Sequence, residues 1–446
     1  MSLPRYPKYK DSGVEWLGEV PGHWEVRKAR RLCEIKKRIS GELGHDVLSI
    51  TQQGIRVRDL ESNDGQLSMD YSKYQFVEVG DFAMNHMDLL TGYVDISSIR
   101  GVTSPDYRVF SIRAPEVCFD QYLLYLFQMG YKNRIFYAYG QGSSQLGRWR
   151  LPTDQFQELA FPLPPFPEQT QIAAFLDCET AKIDELVTEQ RRLMELLKEK
   201  RQAVISNAVT RGLNPDAPLK PSGIEWLGDV PGHWEVIALK HIADVQTGMA
   251  KGKDFQSRET IAVPYLRVAN VQDGYLDLET VATMNIPASD LKRYALKHGD
   301  VLMNEGGDFD KLGRGCVWEN QIEPCITQNH VFAVRPKLVS SRWLNAITSS
   351  DFAQFYFMTR SKQSTNLASI SSTNLMELPV VLPPVIEQEE ILAFIAAQTF
   401  RFDTLTTEAQ SAIDLLQERR SALISAAVTG QIDVRGVHAG AGKARA

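Results

Sequence analysis

The chain has 446 residues, of which 43% are hydrophobic and 23% are charged. This composition predicts roughly two to four globular domains and excludes a disordered protein. There is no long apolar run and no secretion signal, and the five cysteines are scattered without a C-x-x-C pair, so we expect a cytoplasmic protein without a membrane span, a disulfide framework or a zinc site. The net charge is −6, and residues 1–167 carry 20 basic and 20 acidic side chains. Binding to nucleic acid would therefore need basic residues gathered on one face, or charge supplied by a partner.

The first distinctive segment is Ser12–Val26, SGVEWLGEVPGHWEV, and a basic cluster follows it directly. This cluster, Arg27–Arg38, has seven basic residues in twelve, which favours contact with DNA phosphates. The alternative is the solvated face of an amphipathic helix, since Leu32 and Ile35 have helical spacing. The candidate DNA-binding residues of the cluster are Arg27, Lys28, Arg30, Arg31, Lys36, Lys37 and Arg38.

The region that follows has both strand and helix patterns. Tyr107–Ala114 has strand-like composition between turn residues, as has His330–Pro336 further along the chain. Phe119–Met129 has the aromatic and leucine spacing of a helix, and we expect its counterpart at Trp343–Tyr356. These patterns predict α+β domains.

A polar loop lies near the end of this region. Glutamine can make paired hydrogen bonds to adenine edges, and arginine can contact guanine, so the loop is a candidate for base recognition. The alternative is an ordinary surface loop. The candidate residues are Gln141, Ser143, Ser144, Gln145 and Arg148.

A long stretch without proline or glycine then predicts a helix over 168–211, about 66 Å long at ~1.5 Å per residue. Its apolar residues recur at a spacing of three and four, which is typical of a coiled coil. A second helix of the same kind is expected at 387–432, and the two are expected to bury their seams by pairing antiparallel. The predicted seam residues are Ile172, Leu176, Ile183, Leu186, Leu193, Leu197 and Val204 in the first helix, and Ile391, Ile395, Phe402, Leu405, Leu416 and Leu423 in the second.

The chain is an internal repeat. Ser222–Val236 matches Ser12–Val26 at 13 of 15 positions with an offset of 210. PPVIEQ at 383–388 repeats PPFPEQ at 164–169, and LLQERRSALISAAVT at 415–429 repeats LLKEKRQAVISNAVT at 196–210, both with an offset of 219. The ends of the two copies are therefore alike, whereas their middles differ.

Four tryptophans lie in the repeated segments, namely Trp16, Trp24, Trp226 and Trp234. Tryptophan can stack on nucleic-acid bases, so these residues could in principle contact DNA. Side chains that stack on bases should, however, differ between two copies that bind different sequences, and these four are the same in both copies. We therefore expect these tryptophans to pack against the long helices.

Two polar segments of the second copy are further candidates for DNA contact. The loop Asn304–Arg314 contains acidic residues that could accept the amino group of cytosine, although it could equally be an acidic turn. The second segment corresponds in position to the polar loop of the first copy. The candidate residues are Lys311 and Arg314 in the loop, and Lys362, Gln363, Ser364, Thr365 and Asn366 in the second segment.

No catalytic motif is complete in the sequence. LPPF at 163–166 lacks the polar residue that begins an amino-methyltransferase loop, and Gly142–Gly147 is followed by Arg-Trp where a phosphate-binding loop needs Lys-Ser or Lys-Thr. Glu34–Lys36 and Asp290–Lys292 have the acid-x-Lys pattern of nucleases but fall at unmatched places in the two copies. We expect no catalytic residue, no bound metal and no cofactor.

The repeated SG[VI]EWLG[ED]VPGHWEV segment, the PP-x-x-EQ helix starts and the RRSALISAAVTG helix end resemble the specificity subunits of type I restriction–modification systems. The resemblance extends from about Tyr9 to Val434. It implies two target-recognition domains separated by two long antiparallel coiled-coil helices, in a pseudo-two-fold repeat. The implied segments are 1–167 (first recognition domain), 168–211 (first spacer helix), 212–223 (linker), 224–386 (second recognition domain), 387–432 (second spacer helix) and 433–446 (flexible tail).

The resemblance also implies a function without catalysis. Each recognition domain would bind one half of a split double-stranded DNA target, and the helices would dock two methyltransferase subunits, which restriction subunits then join. Those partners would bring S-adenosylmethionine, ATP and magnesium, and this chain would bring none of them. Two alternatives remain open: an orphan specificity subunit of a methylation-only or other defence complex, and a coiled-coil scaffold that does not bind DNA.

Overall fold

The computed structural model describes residues 3–59, 70–143, 148–250, 259–307, 312–364 and 367–437. The chain divides into two compact units, of which the first contains Met1–Gln190 with Ser411–Ala446 and the second contains Arg191–Gln410. Both boundaries fall inside long helices. Each unit therefore contains one globular domain together with part of each long helix.

The globular domain of the first unit is built from short strands and helices. The strands are β1 (Tyr9–Asp11), β2 (Glu19–Pro21), β3 (Glu25–Lys28), β4 (Cys33–Lys36), β5 (Leu48–Thr51), β6 (Gly54–Val57), β7 (Gln75–Val77), β8 (Phe82–Met84), β9 (Val94–Ile96), β10 (Gly101–Thr103), β11 (Arg108–Ile112), β12 (Gln141–Ser143), β13 (Arg148–Arg150) and β14 (Ala160–Leu163). The helices are α1 (Ala29–Leu32), α2 (Asp120–Lys132), α3 (Thr153–Glu158) and the long α4 (Phe166–Arg211). A four-stranded antiparallel sheet has the order β4-β11-β8-β9, and two-stranded pairs accompany it.

The core of this domain joins the four-stranded sheet to α2. Phe82 of β8 stacks on Phe110 of β11 with ring centroids 5.0 Å apart, and Phe127 of α2 packs against Phe110 at 5.2 Å. All three rings are buried. The strand predicted within Tyr107–Ala114 and the helix predicted at Phe119–Met129 are confirmed, and α2 continues three residues further than expected.

The globular domain of the second unit has a corresponding arrangement. Its strands are β15 (Leu219–Pro221), β16 (Asp229–Pro231), β17 (Glu235–Ala238), β18 (Ala243–Thr247), β19 (Thr260–Leu266), β20 (Ala282–Pro287), β21 (Val301–Asn304), β22 (Gly306–Gly307), β23 (Gly315–Val317), β24 (Ile326–Thr327), β25 (Val331–Pro336), β26 (Lys362–Ser364), β27 (Leu367–Ser369) and β28 (Pro379–Leu382). Its helices are α5 (Ala288–Tyr294), α6 (Ser341–Thr348), α7 (Asp351–Arg360), α8 (Ser372–Met376) and the long α9 (Val385–Val428). The sheet β18-β25-β21-β23 matches β4-β11-β8-β9 of the first unit, and β25 confirms the strand predicted at His330–Pro336.

The prediction of a single helix at Trp343–Tyr356 is wrong, because the chain forms two helices there. Ser350 separates α6 from α7 in an extended conformation, with φ −82° and ψ 155°. Its hydroxyl accepts a hydrogen bond from the amide of Ala353 at 3.4 Å. Serine is a preferred residue at a helix N-terminus, where it satisfies an amide that the helix leaves free. The Ser-Ser-Asp sequence at 349–351 therefore starts a new helix.

Both predicted long helices are present, with 46 residues in α4 and 44 in α9. Four of the predicted seam residues of α4 are confirmed as buried, namely Ile172, Leu176, Ile183 and Leu197. Leu186 and Leu193 are wrong as seam residues, because they are 50% and 41% exposed, and Val187 is buried beside Leu186.

The same correction applies to α9. Leu405, which the heptad pattern assigns to the seam, is 44% exposed, whereas Ala409 and Ile413 are buried. The predicted seam residues Ile391 and Phe402 are confirmed as buried. In both helices, heptad positions beyond the wrong assignments are buried again, as Leu197 and Ala409 show.

Charged side chains join the two long helices inside each unit. In the first unit, Arg420 of α9 donates from Nε and Nη2 to the carboxylate of Asp184 of α4, at 3.0 and 3.3 Å. In the second unit, Nε of Arg201 of α4 lies 3.9 Å from Oδ1 of Asp403 of α9. Both residues of one pair are related to those of the other by the repeat offset of 219.

The residues that follow α9 pack on the first unit. The amide of Asp433 donates to the carbonyl of Pro4 at 2.7 Å, and Val434 is buried. Arg435 pairs with Asp433 at 2.7 Å and lies over the ring of Tyr6, 4.8 Å from its centroid. The prediction of a flexible tail is therefore wrong for residues 433–435, and residues 438–446 lie outside the described part of the chain.

Candidate nucleic-acid interface

In the first unit, the repeated tryptophan segment forms a buried cluster with the start of α4. The indole Nε1 of Trp24 donates to Oε1 of Glu168 at 3.1 Å, and Nε2 of His23 lies 2.8 Å from Oε2 of the same carboxylate. The Tyr6 hydroxyl donates to Oε1 at 2.6 Å. Burial, followed by the hydrogen bond to Glu168, raises the pKa of the Tyr6 hydroxyl, so Tyr6 remains a donor. Trp24 is completely buried, which confirms a packing role.

The second unit repeats this cluster with fewer members. Trp234 donates to Glu387 at 3.0 Å, and Nε2 of His233 lies 2.8 Å from the same carboxylate. Trp234 is completely buried, which again confirms packing against a long helix. Trp226 differs from the expectation, because it stacks on Phe352 of the short helix α7 with centroids 5.7 Å apart.

The basic cluster Arg27–Arg38 is a strand, a single helical turn and a second strand, formed by β3, α1 and β4. Five of its seven basic residues have carboxylate partners: Arg27 with Glu25, Lys28 and Arg30 with Glu158, Lys36 with Glu34, and Arg38 with Asp81. Within the described ranges, Arg31 and Lys37 are exposed and have no ion-pair partner. These two cations are the cluster's best-placed candidates for phosphate contact.

One of these ion pairs recurs in the second unit. Lys240 pairs with Glu377 at 2.8 Å, at the repeat positions of Arg30 and Glu158. A pair that both copies keep belongs to their shared scaffold. Arg30 is thus already engaged, and a phosphate would have to compete with Glu158 for it.

In the first unit, the polar loop lies at the end of a hairpin formed by β12 and β13. Gln141 pairs with Arg150, and the backbone of Ser143 pairs with that of Arg148. Between these pairs, Trp149 donates from Nε1 to the carbonyl of Tyr137 at 2.8 Å and stacks on its ring at 5.2 Å. The candidates Ser144 and Gln145 lie outside the described residues. The base of the loop is anchored, and Gln141 is exposed on it.

In the second unit, the structure brings the two candidate segments together in one small sheet with the order β22-β27-β26. Lys362 of β26 pairs with Ser369 of β27, and Ser369 pairs in turn with Gly306 of β22. Ala368 of β27 likewise pairs with Gln363 of β26 on one side and with Gly307 of β22 on the other. Ser364 of β26 pairs with Leu367 of β27. Lys311, Thr365 and Asn366 lie outside the described residues, and the Arg314 carbonyl accepts from the Asn304 amide at 2.9 Å.

The sequence predictions missed a second loop that borders the hairpin of the first unit. The amide of Leu151, just after β13, donates to the carbonyl of His86 at 2.9 Å. In the second unit the amide of Ile370, just after β27, donates to the carbonyl of Glu305, also at 2.9 Å. Both residues of one hydrogen bond are related to those of the other by the offset of 219. Comparing the copies at that offset would have pointed to His86.

His86 lies in a buried environment next to the positively charged side chain of Arg108. Arg108 is buried, donates from Nη2 to the carbonyl of Leu151 at 3.1 Å and lies over the ring of Phe156, 4.4 Å from its centroid. Burial lowers the pKa of Arg108 to about 10, so it remains charged at neutral pH. Burial, with a smaller contribution from Arg108, lowers the pKa of His86 to about 3. His86 is therefore an uncharged imidazole in this unit.

The surroundings of Glu305 are more open and carry a carboxylate. Oε2 of Glu305 lies 3.0 Å from Nδ1 of His330, and Nε2 of His330 lies 3.2 Å from the side-chain nitrogen of Asn329. The Glu305 amide donates to the carbonyl of His330 at 2.9 Å. The same backbone position thus carries an imidazole in one unit and an oriented carboxylate in the other.

The described residues contain no cluster of histidine, cysteine and carboxylate side chains able to hold a metal. In the first acid-x-Lys pair the two side chains bind each other. Lys36 donates to Glu34 at 2.5 Å, and this hydrogen bond lowers the pKa of the Glu34 carboxyl. Across the same residues, none of the helices combines the length and apolar character needed to span a bilayer.

The two units define a class of protein in which one α+β scaffold is present twice and carries a different polar edge in each copy. Residues 21–193 and 231–413 both match the type I restriction modification DNA specificity domain. These matches cover most of the chain, which belongs to this family and contains two of its recognition domains.

Known proteins of the same kind are similar to the chain. It is 24% identical over 281 residues to the type I restriction enzyme EcoKI specificity subunit of Escherichia coli K12, and 24% identical over 280 residues to the StySPI specificity subunit of Salmonella potsdam. Each alignment covers 62% of this chain and 58% of the relative, so the chain spans less than two thirds of these relatives.

A solved structure also shares the fold. The chain is similar to one from work on the structural basis underlying complex assembly and conformational transition of the type I R-M system, with a TM-score of 0.66 and 15% identity. The superposition covers 92% of this chain and 98% of the other.

Proposed function

We propose that this protein is the DNA sequence-recognition subunit of a type I restriction–modification complex, and that it has no catalytic role of its own. Each unit recognises one half of a bipartite double-stranded DNA target. The observation that carries the proposal is the matched backbone hydrogen bond at His86 and Glu305, which holds chemically different edges on one scaffold. A protein that recognises two unrelated half-sites with two copies of one domain needs a common scaffold and a different base-contacting edge in each copy.

The proposed base-contacting edge of each unit is its hairpin together with the loop beside it. In the first unit these are Gln141–Arg148 and the loop at His86, and in the second they are Lys362–Asn366 and the loop Glu305–Arg314. Contacts to bases specify a sequence, whereas contacts to phosphates position the protein. Arg31 and Lys37 are proposed to contact phosphates, since both are exposed and unpaired within the described ranges.

We propose further that α4 and α9 form an antiparallel coiled coil related by an approximate two-fold, which sets the distance between the half-sites. The pairs Asp184–Arg420 and Arg201–Asp403 support this pairing, because the repeat offset converts one into the other. The segment boundaries expected from the resemblance, with recognition domains at 1–167 and 224–386, belong to the same proposal.

The proposed partners are two methyltransferase subunits and, through them, restriction subunits, acting on DNA in the cytoplasm. The long helices expose apolar side chains that their own seams do not use, which gives such partners a surface to bury. Several are at least 44% exposed, namely Leu186, Leu196, Phe400, Leu405 and Leu415. S-adenosylmethionine, ATP and magnesium would be bound by these partners.

The test is single-molecule methylation sequencing of the host genome with and without the gene. We expect methylation to disappear from one split motif with unrelated halves when the gene is deleted. An unchanged methylome, with the methyltransferase shown to be present and active, would contradict the proposed function.

A further inference from the structure

The position shared by His86 and Glu305 has the properties expected of a specificity-determining residue. Its backbone is fixed in both units by the same hydrogen bond, from Leu151 in one and from Ile370 in the other. Its side chain is free to differ, and it changes from imidazole to carboxylate. A residue that recognises a base must keep its place in the scaffold while its chemistry varies with the target.

In the second unit, the Glu305 carboxylate is held with one oxygen available. Oε2 lies 3.0 Å from Nδ1 of His330, and the Glu305 amide is fixed by the carbonyl of His330. The side chain is 26% exposed, and among the described residues Oε1 has no hydrogen-bond partner. This oxygen can therefore accept a hydrogen bond from a ligand without breaking the contact to His330.

The residues that follow Glu305 carry no side chains, and a cation lies nearby. Gly306 and Gly307 follow it, and Gly306 lets β22 pack closely on β27, because a Cβ there would lie 2.7 Å from the carbonyl oxygen of Ala368. Lys362 lies two strands away across the β22-β27-β26 sheet, about 10 Å at ~4.8 Å per strand. A phosphate bound by Lys362 would bring the base edges of the same duplex towards Glu305.

We propose that Glu305 is a specificity-determining residue of the second unit, and that its Oε1 accepts a hydrogen bond from the exocyclic amino group of a cytosine or adenine in the major groove. Both bases present an amino donor there, and a carboxylate is an acceptor only. The inference rests on the proposed function, since it names the base chemistry that the second half-site must contain. His330 is the positioning residue that orients the carboxylate.

The corresponding residue of the first unit has different chemistry. His86 is uncharged and lies next to the buried cation Arg108. An imidazole without charge cannot replace a carboxylate as a pure acceptor. Substitution of Glu305 should therefore change one half of the target and leave the other half as it is.

The experiment compares host strains that express the intact complex with the wild-type chain, E305Q or the control E377Q. Glu377 is an exposed carboxylate of the same unit, and its partner is Lys240. Methylation sequencing gives the motif and the rate for each strain. We expect E305Q to reduce methylation of the wild-type motif about tenfold to a hundredfold and to change the preferred base at one cytosine or adenine of one half. E377Q should keep both the motif and the rate.

Two outcomes overturn the inference while leaving the proposed function intact. In one, E305Q methylates the wild-type motif at the wild-type rate. In the other, E305Q lowers methylation of every site without changing the motif, which is the behaviour of a structural residue. Should E305Q fail to assemble, H330Q decides: it must weaken discrimination at a single amino-bearing base, and unchanged discrimination overturns the inference. Absence of any split motif in the wild-type strain would instead contradict the proposed function.

Discussion

The two Trp–His–Glu clusters come from nearly identical sequence, yet they differ in how completely their glutamate is satisfied. Glu168 is buried and contacts Trp24, His23 and Tyr6. Glu387 contacts Trp234 and His233, and its side chain is 27% exposed. The third donor of the first unit comes from outside the repeated motif. A repeated motif thus fixes the contact, and its neighbours determine how strongly the fold depends on it.

Asp81 and Asp300, which each follow a glycine and are related by the repeat offset of 219, provide the largest expected contrast in stability. Asp300 is completely buried and accepts from Nε and Nη2 of Arg335 at 2.7 Å each, whereas Asp81 is paired with the more exposed Arg38. Arg335→Met should lower the free energy of unfolding by about 3 kcal/mol, because it leaves a buried carboxylate unpaired. Urea denaturation of the full chain measures this change.

The matched variant for this comparison is Arg38→Met. It should cost about 2 kcal/mol, less than Arg335→Met, because Arg38 is 36% exposed against 28% for Arg335, so that water reaches the vacated site more easily. Equal losses for the two variants would contradict the inferred difference in burial.

The next largest expected difference in stability is between variants of Glu168 and Glu387, the glutamates of the two Trp–His–Glu clusters. Glu168→Ala should cost about 2 kcal/mol, since it leaves the Trp24 and Tyr6 donors buried without an acceptor. Glu387→Ala should cost about 1 kcal/mol, because solvent reaches that site. Thermal unfolding of both variants gives the order, and a larger loss for Glu387→Ala would reverse the comparison.

His86 occupies in the first unit the loop position that Glu305 occupies in the second. It therefore predicts that the stability of the first unit depends on pH. The pKa of His86 is lowered to about 3, below the ~6.5 of an unfolded histidine. Between these values the unfolded chain binds more protons, so the free energy of unfolding falls as pH is lowered below about 6.5. His86→Gln should remove about 2 kcal/mol of the loss between pH 7 and pH 5, measured by urea denaturation at both pH values. A loss in His86→Gln equal to that of the wild-type chain would contradict the lowered pKa of His86.

The ion pairs of the long helices give the smallest contrast. Arg420 makes two hydrogen bonds to Asp184, whereas Arg201 lies 3.9 Å from Asp403. Arg420→Gln should cost about 0.5 kcal/mol and Arg201→Gln close to nothing, as is usual for partly exposed pairs. Thermal unfolding at low and high salt checks this, since only the loss for Arg420→Gln should shrink as salt is added.

Much of the scaffold follows from the sequence because it depends on local pattern and on the repeat. The strand β11, the helix α2 and the packing of Trp24 and Trp234 are of this kind. Leu186 was misassigned because apolar spacing shows which residues share a helix face, but not whether another element covers that face at each turn. The break at Ser350 was missed because hydrophobic periodicity continues across it while a single hydroxyl caps the second helix.

The candidate interface was less accessible to sequence analysis. The hairpin loops could be located by their position before the long helices, but the loop at His86 becomes their neighbour only through the bond from Leu151. That contact joins residues far apart in the chain and depends on sheet pairing. Two of the four carboxylate partners of the basic cluster, Glu158 and Asp81, likewise meet it only in the fold. Charge counting along the sequence could not separate paired cations from free ones.

The bonds that hold the two edges in place have a consequence for how such a protein can change over generations. From Leu151 to His86 and from Ile370 to Glu305, donor and acceptor both belong to the main chain. Replacement of the side chain at either acceptor leaves the bond available. Mutations can therefore accumulate at these positions with little penalty in folding, and new target preferences can arise while the inherited framework is kept.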